Sequence, residues 1–262
     1  MKPILAINTA DNACSVTLKQ QNQTITKTEP CLNKQSELLL PFIDTILKEA
    51  TITLSDLEAI AYSAGPASFT GIRLALSTAQ GLAMPHNLPI IPVCSLQALA
   101  WAFYSTVITK EYDDRNNPDS PEGADILIPG LPRLLTQPRN DDELKILVCT
   151  NAYMGQLFWG AFTINEQKIS IEQTACLVSP EELPTLKDEQ WIGIGNAWSV
   201  YQPQLAPLLK KQVVASYPDF LPHSAQAVAD LAEKILQQKT NSHTAPDPIY
   251  LRTENAWKKK RL

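Results

Sequence analysis

The strongest constraint in this chain is an order of hydrophobic periods that runs once and then runs again. Ile4 to Ala10 is a short apolar run that turns polar at Asn8, Thr9 and Asp11, as a buried strand does at its end. Cys14 to Lys19 alternates, and after a turn at Gln21–Asn22 so does Gln23 to Thr28, which predicts a three-stranded meander. From Ser36 to Ala50 the period becomes helical, with Leu39, Phe42 or Ile43, Ile46, Leu47 and Ala50 on one stripe and Ser36 placed to cap it. A strand at Ala59–Ala64 ends in Gly65–Pro66, and a helix at Thr70–Met84, a strand at Ile90–Cys94 and a helix at Ser95–Thr106 follow. The second half restarts with strands at Lys145–Thr150, Gln156–Phe162 and Lys168–Val178, the last two joined by a turn at Asn165–Glu166. A short helix at Pro180–Leu186, a strand at Gln190–Ile194, a helix at Trp198–Leu209, a strand at Val213–Ser216 and a closing helix at Ser224–Gln238 complete it.

Two tandem βββαβα lobes resemble the duplicated α/β fold of the actin, hexokinase and Hsp70 (ASKHA) ATPases. The expected division is an N-terminal lobe at 1–108, a proline-rich insertion at 109–143 and a C-terminal lobe at 144–262 with the closing helix 224–238 and a basic tail. In that fold the hairpins after the first strands of the lobes face each other across a cleft, and here those positions hold Asn8 and Asn151. The chain has 20 prolines, and Pro118, Pro121, Pro129, Pro132 and Pro138 sit in the insertion beside several acids. That composition resists regular structure, so a loose excursion anchored only at Ile126, Leu127 and Ile128 is expected.

Composition removes several function classes. With 262 residues and 44% hydrophobic content, the chain can bury a core without a disulfide or a metal. Its 22 basic and 27 acidic side chains leave a formal charge of −5, without the basic excess needed to grip a nucleic-acid backbone widely. Cys14, Cys31, Cys94, Cys149 and Cys176 are scattered, odd in number and never spaced as CxxC, so reduced buried thiols are expected. The N-terminus turns polar too soon for a signal peptide, and no apolar run approaches the ~20 residues that cross a bilayer. A soluble cytoplasmic protein is expected.

The most unusual string is Gly65-Pro66-Ala67-Ser68-Phe69-Thr70-Gly71-Ile72-Arg73, a strand-to-helix turn that Ser68 or Thr70 can cap. It fits either a tight capped turn or an anion site at a helix N-terminus beside a guanidinium. No Gly-Lys-Ser/Thr follows, so it is not a P-loop. The helix after it carries Arg73 as its one charge and holds Ala75, Ala79, Gly81 and Ala83 among Ile72, Leu74, Leu76 and Leu82. A helix that is small or apolar all round needs a cover on both sides. In the preceding helix Leu38, Leu39 and Leu40 run consecutively and cannot all face one core. The surplus is met by a protein partner on Leu38, Leu39, Phe42, Arg73, Leu76, Ala79, Leu82 and Ala83, or by the chain's own insertion.

Catalytic motifs are absent. His86, His223 and His243 are isolated, with no HExxH or HxxxH pair, and Gly-x-Ser-x-Gly does not occur. Asp219 near His223 reads as a helix start. Gly193-Ile194-Gly195 follows a strand, but Trp198 stands where a dinucleotide loop wants glycine. The tail Lys258-Lys259-Lys260-Arg261 after Trp257 is a solvated end, or else a contact in which Lys258 and Lys259 touch phosphates with Trp257 stacking beside them.

These strings together resemble the TsaB (YeaZ) family, the non-catalytic partner of TsaD in bacterial threonylcarbamoyladenosine (t6A) modification of tRNA. The resemblance rests on Ile4-Leu5-Ala6-Ile7-Asn8-Thr9-Ala10 with Cys14-Ser15-Val16, on Ser36-Glu37-Leu38-Leu39-Leu40-Pro41, and on Gly65 to Arg73. The ending, Tyr250-Leu251-Arg252 with Ala256-Trp257-Lys258-Lys259, adds to it. It covers most of the chain outside 109–143. Relatives commonly have Asp where Asn8 stands, Asp-Ala-Arg where Asn151-Ala152-Tyr153 stands, and Gly at Ala67. The amides lack the charge a hard cation prefers. The resemblance implies a scaffold without catalytic residues, cofactor or metal. It would dimerise with TsaD for threonylcarbamoylation of adenosine 37 in tRNAs reading codons that begin with A. TsaE would join as third partner, TsaC would make the adenylate upstream, and the chain alone would form a homodimer. The rivals are a sugar-kinase-like ATPase, for which Asp11 is the one near carboxylate, and a peptidase, for which no nucleophile or metal ligand exists.

Overall fold

A computed structural model describes residues 2–10, 13–21, 23–31, 34–116, 143–165, 168–186, 190–220, 225–238 and 247–252, with the backbone alone for 108–116. It divides into two compact units, Met1–Ala98 with Pro222–Leu262, and Leu99–Leu221. The first is built on a five-stranded sheet of β1 (Ile4–Asn8), β2 (Ala13–Lys19), β3 (Thr24–Pro30), β4 (Ala59–Gly65) and β5 (Ile90–Cys94), in the order β3-β2-β1-β4-β5. The meander β1-β2-β3 is antiparallel, and β4 and β5 join β1's other side in parallel. Every residue of β1 and β4 is buried, as strands covered on both faces require.

Alternation along β2 shows how both faces are covered. Cys14, Val16 and Leu18 join the core that receives Leu39, Ile43 and Ile46 of α1 (Gln35–Glu49) and Ala75, Ala79 and Ala83 of α2 (Phe69–Ala83). Ser15 faces the other way, and its Oγ accepts the backbone N–H of Ala225 at 2.8 Å, just before α6 (Gln226–Gln237). On that face Lys19 Nζ stands 2.5 Å from Asp230 Oδ1 and 2.5 Å from Glu233 Oε2. The closing helix therefore belongs to the first unit, against β1, β2, β4 and β5, and not to the second lobe as the sequence order suggested. Linear order does not record which sheet a returning helix covers.

The second unit repeats the sheet as β6 (Leu144–Tyr153), β7 (Gln156–Ile164), β8 (Ile169–Val178), β9 (Trp191–Ile194) and β10 (Val213–Tyr217), ordered β10-β9-β6-β7-β8. It has the same antiparallel meander and the same parallel pair, so the duplicated α/β architecture stands. One core gathers Leu147, Cys149, Trp159, Trp191 and Trp198 with Leu205 and Leu209. Phe103 of α3 (Ser95–Asn116) meets Phe220 edge-on at 4.9 Å.

Four local expectations are corrected. Helix α1 begins at Gln35 with Lys34 at its cap and no side-chain cap bond, so Ser36 lies within the first turn. Helix α3 runs to Asn116, ten residues beyond Thr106 and into the stretch assigned to the insertion, because no Gly or Pro interrupts 95–116. The expected helix 198–209 is two pieces, α4 (Ala197–Val200) and α5 (Gln202–Leu209). Pro203 cannot continue the first piece and instead starts the second. At Pro180–Leu186 a single 3₁₀ turn forms over Pro180–Glu182, since Pro184 turns Leu183 to extended backbone.

Candidate functional site

The Gly65–Arg73 string is a joint where four parts of the first unit meet. Thr9, just past β1, donates its hydroxyl to the Gly71 carbonyl at 2.7 Å, and the Ser68 N–H donates to the Ala10 carbonyl at 3.3 Å. A Cβ on Gly71 would overlap the Thr9 carbonyl, so the second glycine of the string is set by this close approach. Gly65 has φ +97°, and a Cβ there would stand 2.9 Å from the carbonyl oxygen of Ile249. The Ile249 N–H in turn donates to the Ala64 carbonyl at 2.7 Å, so the segment 247–252 lies along the end of β4. Ser68 occupies the helix N-cap but makes no side-chain cap bond. The glycines are thus explained by packing, which favours the tight-turn reading over an anion site.

The segment also brings Tyr250 to α2. Arg73 Nε donates to the Tyr250 hydroxyl at 3.2 Å, and the guanidinium carbon sits 3.7 Å above the Phe69 ring centroid. Sequence reading named Arg73 but missed Phe69 and Tyr250 as its supports. Nothing local to Tyr250-Leu251-Arg252 shows that the chain returns to the end of β4.

Packing sorts the eight residues predicted to meet a partner. Leu39, Ala79 and Ala83 are 1%, 0% and 2% exposed and face the chain's own sheet, so these three are corrected from interface to core. Their positions follow from helical period: α2 inserts Ala75, Ala79 and Ala83, spaced by four, and small residues let the helix lie close on the strands. Leu38, Phe42, Leu76 and Leu82 are half-buried at the edge of this core, and Arg73 is exposed. Leu40, Phe69 and Met84 are more than half exposed, and none of the three was among the residues predicted to meet a partner. The exposed residues of α1 and α2 are therefore mixed: Leu40, Phe69 and Met84 stand out among polar side chains, and Arg73 is the one charge of α2.

The two hairpin positions are best described within their own units. Asn8 is buried, and its Oδ1 accepts the Ala10 N–H at 3.1 Å. Asn151 Oδ1 accepts the Tyr153 N–H at 2.8 Å and the Tyr201 hydroxyl at 3.3 Å, while its own N–H donates to Asn196 Oδ1 at 2.8 Å. Both carboxamides hold their own hairpins. Gly193 carries the Trp198 ring where a Cβ would be, and Gly195, with φ +99°, lies against the Cys149 carbonyl. The two glycines are thus set by close packing, Gly193 on an indole and Gly195 on a backbone carbonyl.

Among the described residues, no group of three or more His, Cys, Asp or Glu side chains is placed to hold a metal ion. All five cysteines are free. Burial, reinforced by neighbouring Cys31 and Glu29, pushes the Cys14 thiol up to about 12, and burial raises Cys149 well above the ordinary range. Such thiols are poor nucleophiles at neutral pH. No described helix is long and apolar enough to cross a membrane. Asp11, His223, His243, the anchor Ile126–Ile128 and the tail with Trp257, Lys258 and Lys259 lie outside the described residues.

Known proteins similar to this chain point one way. Residues 27–114 match a family model described as TsaD, tRNA N6-adenosine threonylcarbamoyltransferase. The chain is 27% identical to the tRNA threonylcarbamoyladenosine biosynthesis protein TsaB of Escherichia coli (strain K12), over 98% of this chain and 97% of that protein. It is 28% identical to the protein of the same name from Haemophilus influenzae, over 98% and 96%. Among solved structures it superposes on YeaZ from Pseudomonas aeruginosa with a TM-score of 0.72 and 24% identity, covering 96% of this chain and 100% of that one.

Proposed function

From identities of 27% and 28% to TsaB proteins over nearly the whole chain, we propose that this is a TsaB (YeaZ) family protein and a scaffold subunit for threonylcarbamoylation of adenosine 37 in tRNA. It acts by binding TsaD and performs no chemistry of its own. The observation that carries the scaffold role is the outer side of α1 and α2, where Leu40, Phe69 and Met84 are 57%, 53% and 81% exposed beside half-buried Leu38, Phe42, Leu76 and Leu82. Burying a side chain of this size is worth about 1.5–3 kcal/mol, so covering several of them sustains a stable complex after the entropic cost of association. The absence of catalysis is supported by the two hairpin amides, both occupied by local hydrogen bonds, and by the indole against Gly193. TsaE is the expected third partner, and in the absence of TsaD the same face pairs with a second copy of the chain. A two-fold pairing of that kind is isologous, so one substitution acts twice. Leu82→Glu puts a charge on the face while leaving the helix's inward alanines alone. The variant is expected to stay folded, with a melt lowered by the loss of Leu82's packing at the core's edge, and to lose both self-association and co-purification with TsaD. Retained co-purification would place the interface elsewhere.

A further inference from the structure

Arg73 is the one charge on α2, and its guanidinium is fixed before any partner arrives. It stacks 3.7 Å over Phe69, lies 6.0 Å from the Tyr250 ring and spends Nε on the Tyr250 hydroxyl. The two rings pack against each other at 5.2 Å, and Tyr250 is delivered by a segment bonded to β4 through Ile249. With Nε used, the two terminal amino groups remain as a planar pair of donors. Among the described residues no carboxylate pairs with Arg73. A guanidinium held this way loses little further freedom on forming a two-pronged bond.

We propose that Arg73, held by Phe69 and Tyr250, is the specificity contact of the α1–α2 face and receives an Asp or Glu carboxylate from the protein that covers it. The proposal rests on the reading of that face as the TsaD surface. A carboxylate fits better than an RNA phosphate, because backbone binding needs several cations in a track. On α2 there is one cation, stacked on exposed Phe69 and beside Tyr250, with Thr70, Ser77 and Gln80 as the other exposed side chains of any polarity, as a charged anchor stands inside a protein interface. Tyr250 thereby gains a role: it is a positioning residue, holding the fork that meets the partner.

The test is calorimetric titration of TsaD into the full-length chain and its variants, at low and high salt, with melting curves as a fold control. Arg73→Lys keeps the charge but loses the fork and the stack, and is expected to weaken binding at least about tenfold. Tyr250→Phe, which removes only the hydroxyl, is expected to weaken it by a few-fold. The parent's affinity should fall more steeply with salt than that of Arg73→Gln. If Arg73→Lys and Arg73→Gln bind within twofold of the parent while Leu82→Glu does not, the carboxylate proposal is wrong and the face stands. If Leu82→Glu also binds unchanged, the reading of the face itself fails. If Arg73→Gln keeps its affinity for TsaD but lowers tRNA binding by the assembled complex, the contact is with phosphate and the proposal is overturned.

Discussion

Gly71 shows what a single residue decides here. Its missing Cβ lets the carbonyl of Thr9 pass against α2, and the Thr9 hydroxyl then closes the joint on the Gly71 carbonyl. Gly71→Ala should force strand and helix apart and destabilise the fold by several kcal/mol, since the obstacle is backbone and cannot rotate away. Chemical denaturation would show it, and an unchanged midpoint would mean the joint is slack. Gly65 meets Ile249 and Gly193 meets Trp198 by the same logic. The sequence marked the Gly65–Arg73 string as unusual but offered two reasons for it. The deciding contacts are with Thr9 and Ile249, dozens to hundreds of residues away in the chain, and no local pattern encodes them. Ala67 and the hairpin amides were legible as departures, yet their bonds to Ala10, Tyr153 and Tyr201 became visible only in three dimensions.

At the level of elements, hydrophobic period located every strand to within a few residues. It failed where helices end, because Pro203, Pro184 and the uninterrupted 95–116 stretch act through the backbone. It also could not tell the inward side of α2 from the outward one, since Leu74, Leu76 and Leu82 are as apolar as the alanines that face the sheet. The structure separates them, and the two sides predict different phenotypes. Ala79→Glu would bury an unpaired charge at a site that is 0% exposed, and should unfold the first unit at a cost of several kcal/mol. A folded Ala79→Glu protein, seen by circular dichroism, would contradict this packing. Helix α6 offers a pH test. Burial pulls the Lys19 ammonium down, but hydrogen bonds to Asp230 and Glu233 and their charges outweigh it, so its pKa stands above the ordinary lysine value. The stabilisation is therefore complete below about 10.4, the value in an unfolded chain, and is lost as pH rises through the raised folded value. Lys19→Met should cost about 1–3 kcal/mol at pH 8. The gap to the parent should narrow above about pH 10.4 in urea titrations, and a gap independent of pH would remove the ion cluster from the account.

For the whole molecule, the repeat of sheet order in two units is what sequence reading carried furthest, because each lobe announces its meander and its parallel pair by period alone. What it could not carry was α6, which follows the second sheet in the chain and covers the first. The duplicated α/β fold thus holds hairpins tied by amides, a glycine packed against an indole, and two helices whose exposed Leu40, Phe69 and Met84 stand near one stacked arginine. The direct measurement is t6A formation on tRNA in a reconstituted mixture of TsaC, TsaD and TsaE, with the parent chain, Leu82→Glu or Asn151→Ala supplied in turn. The account predicts full product with the parent and with a folded Asn151→Ala, and loss of product with a folded Leu82→Glu in step with its loss of TsaD binding. Full product with a Leu82→Glu protein that no longer binds TsaD, or loss of product with an Asn151→Ala protein that still binds it, would contradict the account.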